Sequence, residues 1–228
     1  MNIDRYIGRK AFSLIEMMVV LGVVGLLLAF AAPNLFSLLT SSTLSGEGTV
    51  LRNQFTYAQQ IAVSKSADVE VRFFRYADES AAQLDERFRA YQLFQFNREG
   101  DMVPVSTFFR IKTPVAVHED RTTILNTGAS SGNQNDRKYG FIAPYESVAD
   151  APVGLGGAMV PCPYVAFRFR PDGSTDLPFR TSQDDTWYLT LVQGEGALAE
   201  SDPANFVCLQ VNSYNGQVTE FRPQASGN

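Results

Sequence analysis

One histidine, His118, and two cysteines, Cys162 and Cys208, are all that the 228 residues hold of those types. A His-rich zinc site is therefore excluded, neither a CxxC redox pair nor a four-cysteine metal site can form, and a Ser/His/Asp triad has one histidine to draw on. Charge is scarce as well. Asp, Glu, Lys and Arg make up 19%, under the roughly 25% of ordinary soluble domains, which excludes a disordered polyelectrolyte. The balance is acidic, 24 Asp and Glu against 19 Lys and Arg, net −5. That argues against a general binder of nucleic acid or of anionic membrane surfaces. No internal repeat is visible. What the chain does have is 45% hydrophobic residues, with 17 Phe and 9 Tyr. That is enough for a buried core, and the aromatics point to β structure.

The first eleven residues carry Asp4, Arg5, Arg9 and Lys10, a net charge of +2. Residues 12–32 follow, 21 residues whose only charge is Glu16, and no charge occurs from Met17 to Ser45. A transmembrane helix needs about 20 apolar residues. With the basic flank in front, the N-terminus stays in the cytoplasm and the remainder is exported. A secretory signal peptide is the plain alternative, but its apolar core is shorter, about 7–15 residues. A simple single-pass anchor is another. Against both stands Glu16, because a carboxylate in a membrane span is costly and usually has a task.

Lys10-Ala11-Phe12-Ser13-Leu14-Ile15-Glu16 resembles the prepilin signal of type IV pilins and type II secretion pseudopilins. The resemblance implies that a basic leader, residues 1–11, is cut from Phe12 by a prepilin peptidase and that the new Phe12 amine is methylated. It assigns Glu16 to assembly with other pilin or pseudopilin subunits. Ala11 departs from the family, which usually has Gly before the cut, so slower cleavage is expected. Pro33 lacks an N–H and clashes with the preceding turn, so it is expected to end or kink the span of residues 12–33. In similar proteins a proline at this place takes part in unwinding during assembly.

After Pro33 a helical period resumes through residues 34–66. Leu44, Leu51, Phe55, Ala58 and Ala62 fall on one face. Glu47, Arg52, Gln59 and Lys65 are read as lying largely off it, and Gly46 and Gly48 weaken the first turn. A helix from Phe12 to Lys65 is about 80 Å long at 1.5 Å per residue. Residues 67–228 read as a β-rich globular domain. Alternation places strands at 69–73, 88–96, 107–112, 115–117, 165–170, 187–192, 206–211 and 218–221. Turns are expected at 97–101, Asp172-Gly173 and Asn215-Gly216. Residues 77–87 and 126–140 read as loops, and 143–163, rich in Pro and Gly, as irregular. The fold class is α+β, a long N-terminal helix, half membrane and half amphipathic, packed on an antiparallel sheet. "FRFRPDGST", "WYLTLV" and "NFVCLQVNSYNGQVTEFRP" resemble the globular domain of the pseudopilin H and fimbrial T-like group. "RAYQLFQF" and "FRPDGST" also fit the Verru_Chthon cassette protein D family.

Other candidate sites are weaker. His118-Glu119-Asp120 has no second histidine and reads as a solvated turn. Asp184, Asp185, Glu195, Glu200 and Asp202 cluster in sequence, and one pseudopilin class binds calcium in this region, but the spacing fits no EF-hand. Gly154-Leu155-Gly156-Gly157 is a flexible loop and not a dinucleotide fingerprint. Arg168, Arg170 and Arg180 near Phe167, Phe169 and Phe179 are read as exposed strand faces before a DNA-binding patch. In an oxidising compartment Cys162 and Cys208 can pair, and the sequence leaves that open. The reading is a structural, non-enzymatic filament subunit, with no catalytic residue, metal, cofactor or nucleic-acid partner. Its size and long loops point to a minor subunit. It is held single-pass in the inner membrane with a periplasmic C-terminal domain until assembly. The alternatives are a minor pilin that binds DNA or a surface ligand, and an unassembled membrane-anchored binding protein.

Overall fold

A computed structural model describes residues 13–77, 86–97, 99–126, 144–178, 187–194, 203 and 205–222, with backbone alone at 30–41, 86 and 155. Two compact units divide the chain, Met1–Thr40 and Ser41–Asn228.

Helix α1 covers Leu14–Lys65. It passes through Pro33, which therefore does not end it. A proline removes one donor and crowds one turn, at a cost of about 3 kcal/mol. Helix propagation on both sides, where each added residue contributes its own bond, offsets that. In the second unit the apolar stripe is buried as the spacing requires: Leu44 and Leu51 are 1% exposed, and Phe55, Ala58 and Ala62 are fully buried. Glu47 belongs to this face and not off it, at 8% exposure. Its position three after Leu44 and four before Leu51 puts it in the stripe, and Lys112 Nζ lies 3.6 Å from its carboxylate. Gly48 has a packing role, since a Cβ there would sit 2.6 Å from Val207 Cγ1. The helix closes with Ser66 in the left-handed region, φ 51, and with the Ala67 N–H on the Ala62 carbonyl, a Schellman-type end.

Two antiparallel sheets follow. The first holds β1 (Val69–Ala77), β2 (Glu86–Phe96), β3 (Met102–Pro104), β4 (Phe109–Arg110), β6 (Tyr145–Ala151) and β7 (Val160–Phe169). Its order is β3-β2-β1-β7-β6, with β4 also on β2. The second runs β10-β9-β8-β5, from β5 (Val115–Val117), β8 (Trp187–Gln193), β9 (Phe206–Val211) and β10 (Val218–Phe221). One core joins the α1 stripe to both sheets, through Val71, Phe73, Leu93 and Phe167 on one and Trp187, Leu189, Leu209 and Val211 on the other. Phe55 is its centre, edge-on to Phe73 at 6.1 Å and Phe167 at 5.6 Å. Such pairs add about 0.5–1.5 kcal/mol beyond their burial.

The segment 143–163 is irregular only in part, because 145–151 form β6 and 160–163 the start of β7, with turns between them. β6 is an edge strand whose exposed residues are Glu146, Val148 and Asp150, so it carries no apolar alternation to read. Pro161 and Pro163 are tolerated in β7 because β1 pairs with it only from Tyr164, leaving a single ladder beside the prolines. The strand expected at 107–112 shortens to β4.

Both turns form. Gly173 has φ 85 and Gly216 φ 65. Asp172 Oδ1 accepts from the Ser174 N–H at 2.9 Å and its hydroxyl at 2.6 Å, which holds that carboxyl below its usual range. Asn97 closes the turn after β2, its Oδ1 accepting from the Glu99 and Asp101 amides at 3.0 and 2.7 Å.

Candidate functional site

Ser13 caps α1. Its Oγ accepts the Glu16 N–H at 3.2 Å, and its carbonyl accepts from Glu16 at 3.1 Å and Met17 at 3.2 Å. Ser-x-x-Glu is the capping-box spacing, a local reason for Glu16 that the sequence reading passed over. Glu16 also lies in the first turn, where the helix dipole favours an anion. Ala11 and Phe12 lie outside the described residues, so the proximity expected between the Phe12 amine and Glu16 stays an expectation. The side chain of Pro33 lies outside them too.

From Leu14 to Leu28 twelve large apolar side chains are exposed, among them Leu14 at 79%, Ile15 at 71% and Leu21 at 67%. They cover the whole circumference, since Ser13 to Ala29 is exposed without interruption. A helix apolar on all sides is stable only inside lipid or protein. Among the described residues no helix is long and apolar enough to cross a membrane; of the apolar run 12–32, side chains are described for 13–29.

A second feature was not anticipated. On the face of the first sheet turned away from α1, Glu70 is fully buried and Arg72 is 6% exposed. The register places Glu70 between Phe94 of β2 and Arg168 of β7. Glu70 Oε1 accepts from Arg72 Nε at 2.6 Å. Its Oε2 accepts from Arg168 Nε at 2.9 Å and from the Tyr145 hydroxyl. Arg72 lies between the rings of Phe94 and Tyr164, 4.3 and 4.4 Å from their centres, and Arg168 lies over Phe96 at 4.3 Å. Burial and the Glu70 charge push the Tyr145 phenol up. Burial pulls the Arg168 guanidinium down, but the oxygens of Tyr145 and Glu70 outweigh it and hold it above its ordinary value. Chemically this is a lock: the phenol keeps its proton, and the carboxylate is saturated by two cations. A trace existed in the sequence. Glu70 and Arg72 share a strand face with Phe74, so that face was not simply solvated.

Arg168 therefore lies in an ion pair and not on an exposed strand face, while Phe167 and Phe169 point into the core. Arg180 and Phe179 lie outside the described residues, as do Asp184, Asp185, Glu195, Glu200 and Asp202. No group of three metal-ligating side chains occurs among the described residues. His118 is 2% exposed, its N–H on the Thr190 carbonyl, and Glu119 pairs with Arg75 at 2.5 Å. That segment is a 3-10 turn (Glu119–Arg121) with none of its own residues buried, so His118 alone departs from the solvated turn expected. Leu155–Gly157 is likewise a 3-10 turn, with Gly156 and Gly157 at φ 68 and 84. No disulfide joins Cys162 and Cys208, one buried on β7 and one half-buried on β9 in the other sheet. Burial raises the Cys208 thiol against a hydrogen bond from Thr190.

Residues 8–32 match the prokaryotic N-terminal methylation motif. No curated protein matches the chain. Among solved structures it is similar to the minor pseudopilin EpsH from the type 2 secretion system of Vibrio cholerae, with 7% identity, 79% of this chain and 97% of that one covered, and a TM-score of 0.39. A likeness of that degree decides neither function nor assembly.

Proposed function

We propose that this pilin-like chain, with a methylation motif at its N-terminus and an α+β body behind it, is a structural subunit of a type IV pilus-like or type II secretion pseudopilus-like filament. The observation that carries the reading is the exposed, all-round apolar helix Leu14–Leu28, which begins inside the motif. Lipid covers such a helix before assembly, and the helices of sister subunits cover it afterwards. The chain is held single-pass in the inner membrane with its β domain in the periplasm. Prepilin peptidase cuts between Ala11 and Phe12, and the Phe12 amine is methylated. Glu16, at i+4 from Phe12, then meets that amine or a neighbour's. An unpaired carboxylate at depth costs about 2.5–3.5 kcal/mol, so pairing between subunits sets the register that apolar packing leaves loose. The size and long loops of the domain favour a minor subunit. The DNA-binding alternative loses Arg168, which Glu70 and Tyr145 already hold.

The test is the mature N-terminus from the native host, read by intact mass, together with filament incorporation of two variants. Cleavage before Phe12 with one methyl added is expected. Glu16→Gln keeps a capping-box residue and removes the charge, so it separates the cap from the assembly contact. Both Glu16→Gln and Glu16→Ala are expected to insert and be cut, yet to be depleted from sheared filaments at least several-fold. A mature chain beginning at Met1 overturns the prepilin reading. Full incorporation of Glu16→Gln overturns the role of its charge.

A further inference from the structure

The edge of the first sheet places a thioether against a buried guanidinium. Arg72 has its two flat faces covered by Phe94 and Tyr164, so only groups in its plane can accept its five N–H donors. Nε uses Glu70 Oε1, and the other carboxylate oxygen is taken by Arg168 and Tyr145. Among the described residues the acceptor for Nη2 is Met102 Sδ, at 3.1 Å. A thioether is a weak acceptor. The burial of Arg72 therefore leaves one of its donors poorly satisfied, at the point where it meets solvent.

Met102 is at that point. It opens β3, the three-residue outermost strand, and is 36% exposed. We propose that Met102 is a reversible oxidation site whose sulfoxide is a better partner for Arg72 than the thioether is. The co-reactant is a peroxide. A sulfur lone pair attacks one peroxide oxygen, the O–O bond breaks and an S–O bond forms. The sulfur gives up two electrons, and the departing hydroxide takes the proton of the transferred oxygen and leaves as water, so that the sulfoxide is neutral. Methionine oxidation ordinarily disrupts packing, because it makes an apolar side chain polar. Here the new oxygen faces a cation and gains a charge-assisted hydrogen bond. The sulfur must withdraw slightly to seat that oxygen. Three rotatable bonds and a short, exposed edge strand allow it.

The experiment uses the full chain in detergent micelles. Thermal unfolding is followed by fluorescence of Trp187, the single tryptophan, 2% exposed in the core, so the signal reports the β domain and not the apolar helix. Hydrogen peroxide is added until peptide mass shows one oxygen on Met102. The midpoint is expected to rise by about 2–4 °C. Met102→Leu treated identically carries every other methionine, including the more exposed Met159, and is expected not to rise. Met102→Gln, with an amide oxygen in the sulfoxide's place, is expected to melt above Met102→Leu by a similar margin without any oxidant. Methionine sulfoxide reductases are expected to return the oxidised chain to its starting midpoint. The proposal fails if oxidised wild type melts at or below oxidised Met102→Leu, if Met102→Gln does not exceed Met102→Leu, or if Met102 stays reduced while Met159 is converted.

Discussion

Asp176 is a carboxyl whose surroundings oppose its charge. Burial raises its pKa from 3.8 to about 7, against the pull of the Arg168 amide and of the Arg168 and Arg170 charges. Its Oδ1 accepts the Arg168 N–H at 2.7 Å, so it anchors the strand that carries the Glu70 pair. The folded pKa lies above the unfolded one, so the native state holds the extra proton between those values. The contribution to stability is complete below about pH 4 and is lost as pH rises through about 7. At 1.36 kcal/mol per pH unit that gap is worth about 4 kcal/mol at most; Asp176 is buried only in part, so about 2 kcal/mol is the expected effect. Asp176→Asn keeps the acceptor and removes the charge. It is expected to be more stable than wild type by about 2 kcal/mol at pH 8 and equal to it near pH 4, read from urea midpoints by Trp187 fluorescence. A difference that does not change with pH refutes this account.

One side chain ties helix to hairpins. Gln59 Nε2 donates to the Gly173 carbonyl at 2.9 Å and to the Asn215 carbonyl at 2.6 Å, so α1 holds both glycine turns at one point. Gly216 stands inside that junction. A Cβ on it would lie 2.3 Å from the Gly173 carbonyl oxygen and 2.6 Å from Gln59 Nε2, and its φ of 65 disfavours other residues. Gly46 is the opposite case, helical and with nothing within 4 Å of a Cβ. Gly216→Ala is expected to destabilise by about 2 kcal/mol or more, through overpacking and the positive φ. Gly46→Ala is expected to stabilise by about 0.4–1 kcal/mol by removing freedom from the unfolded chain. Urea denaturation of the two variants checks both signs. Two glycines of one sequence thus act in opposite directions, and only their surroundings separate them.

The chain has two units of opposite character, a helix with exposed apolar side chains and a body with its own core. Every described apolar residue of 14–28 is exposed, while Leu44, three residues into the second unit, is already at 1%. Removing residues 1–40 is therefore expected to leave a soluble, folded monomer, and removing residues 1–66 an aggregating one, because the sheets lose Leu44, Leu51 and Phe55 together. Analytical ultracentrifugation and amide dispersion of the two truncations decide it. Aggregation of the shorter truncation under all conditions counts against a body that folds without its N-terminal segment.

The prepilin-type N-terminus, the helical stripe, the central strands and both glycine turns were readable along the chain. Each rests on the sequence spacing of residues a few positions apart: Phe12 and Glu16, the three-and-four period of Leu51, Phe55, Ala58 and Ala62, the alternation of Val69, Val71 and Phe73. Glu47 was readable by the same period but was judged by its charge. The Glu70–Arg72–Arg168–Tyr145 lock, the Met102 contact and the Gln59 junction could not be read this way. Their members are up to 156 residues apart, and alternation says that two sets of side chains take opposite faces without saying which face is covered. β6 was hidden for the same reason, since an edge strand with Glu146 and Asp150 outward satisfies its backbone through β7 and has no local pattern of its own. Local spacing shows where a helix or strand can form. Which charges are buried, and against what, depends on the register in which distant strands meet.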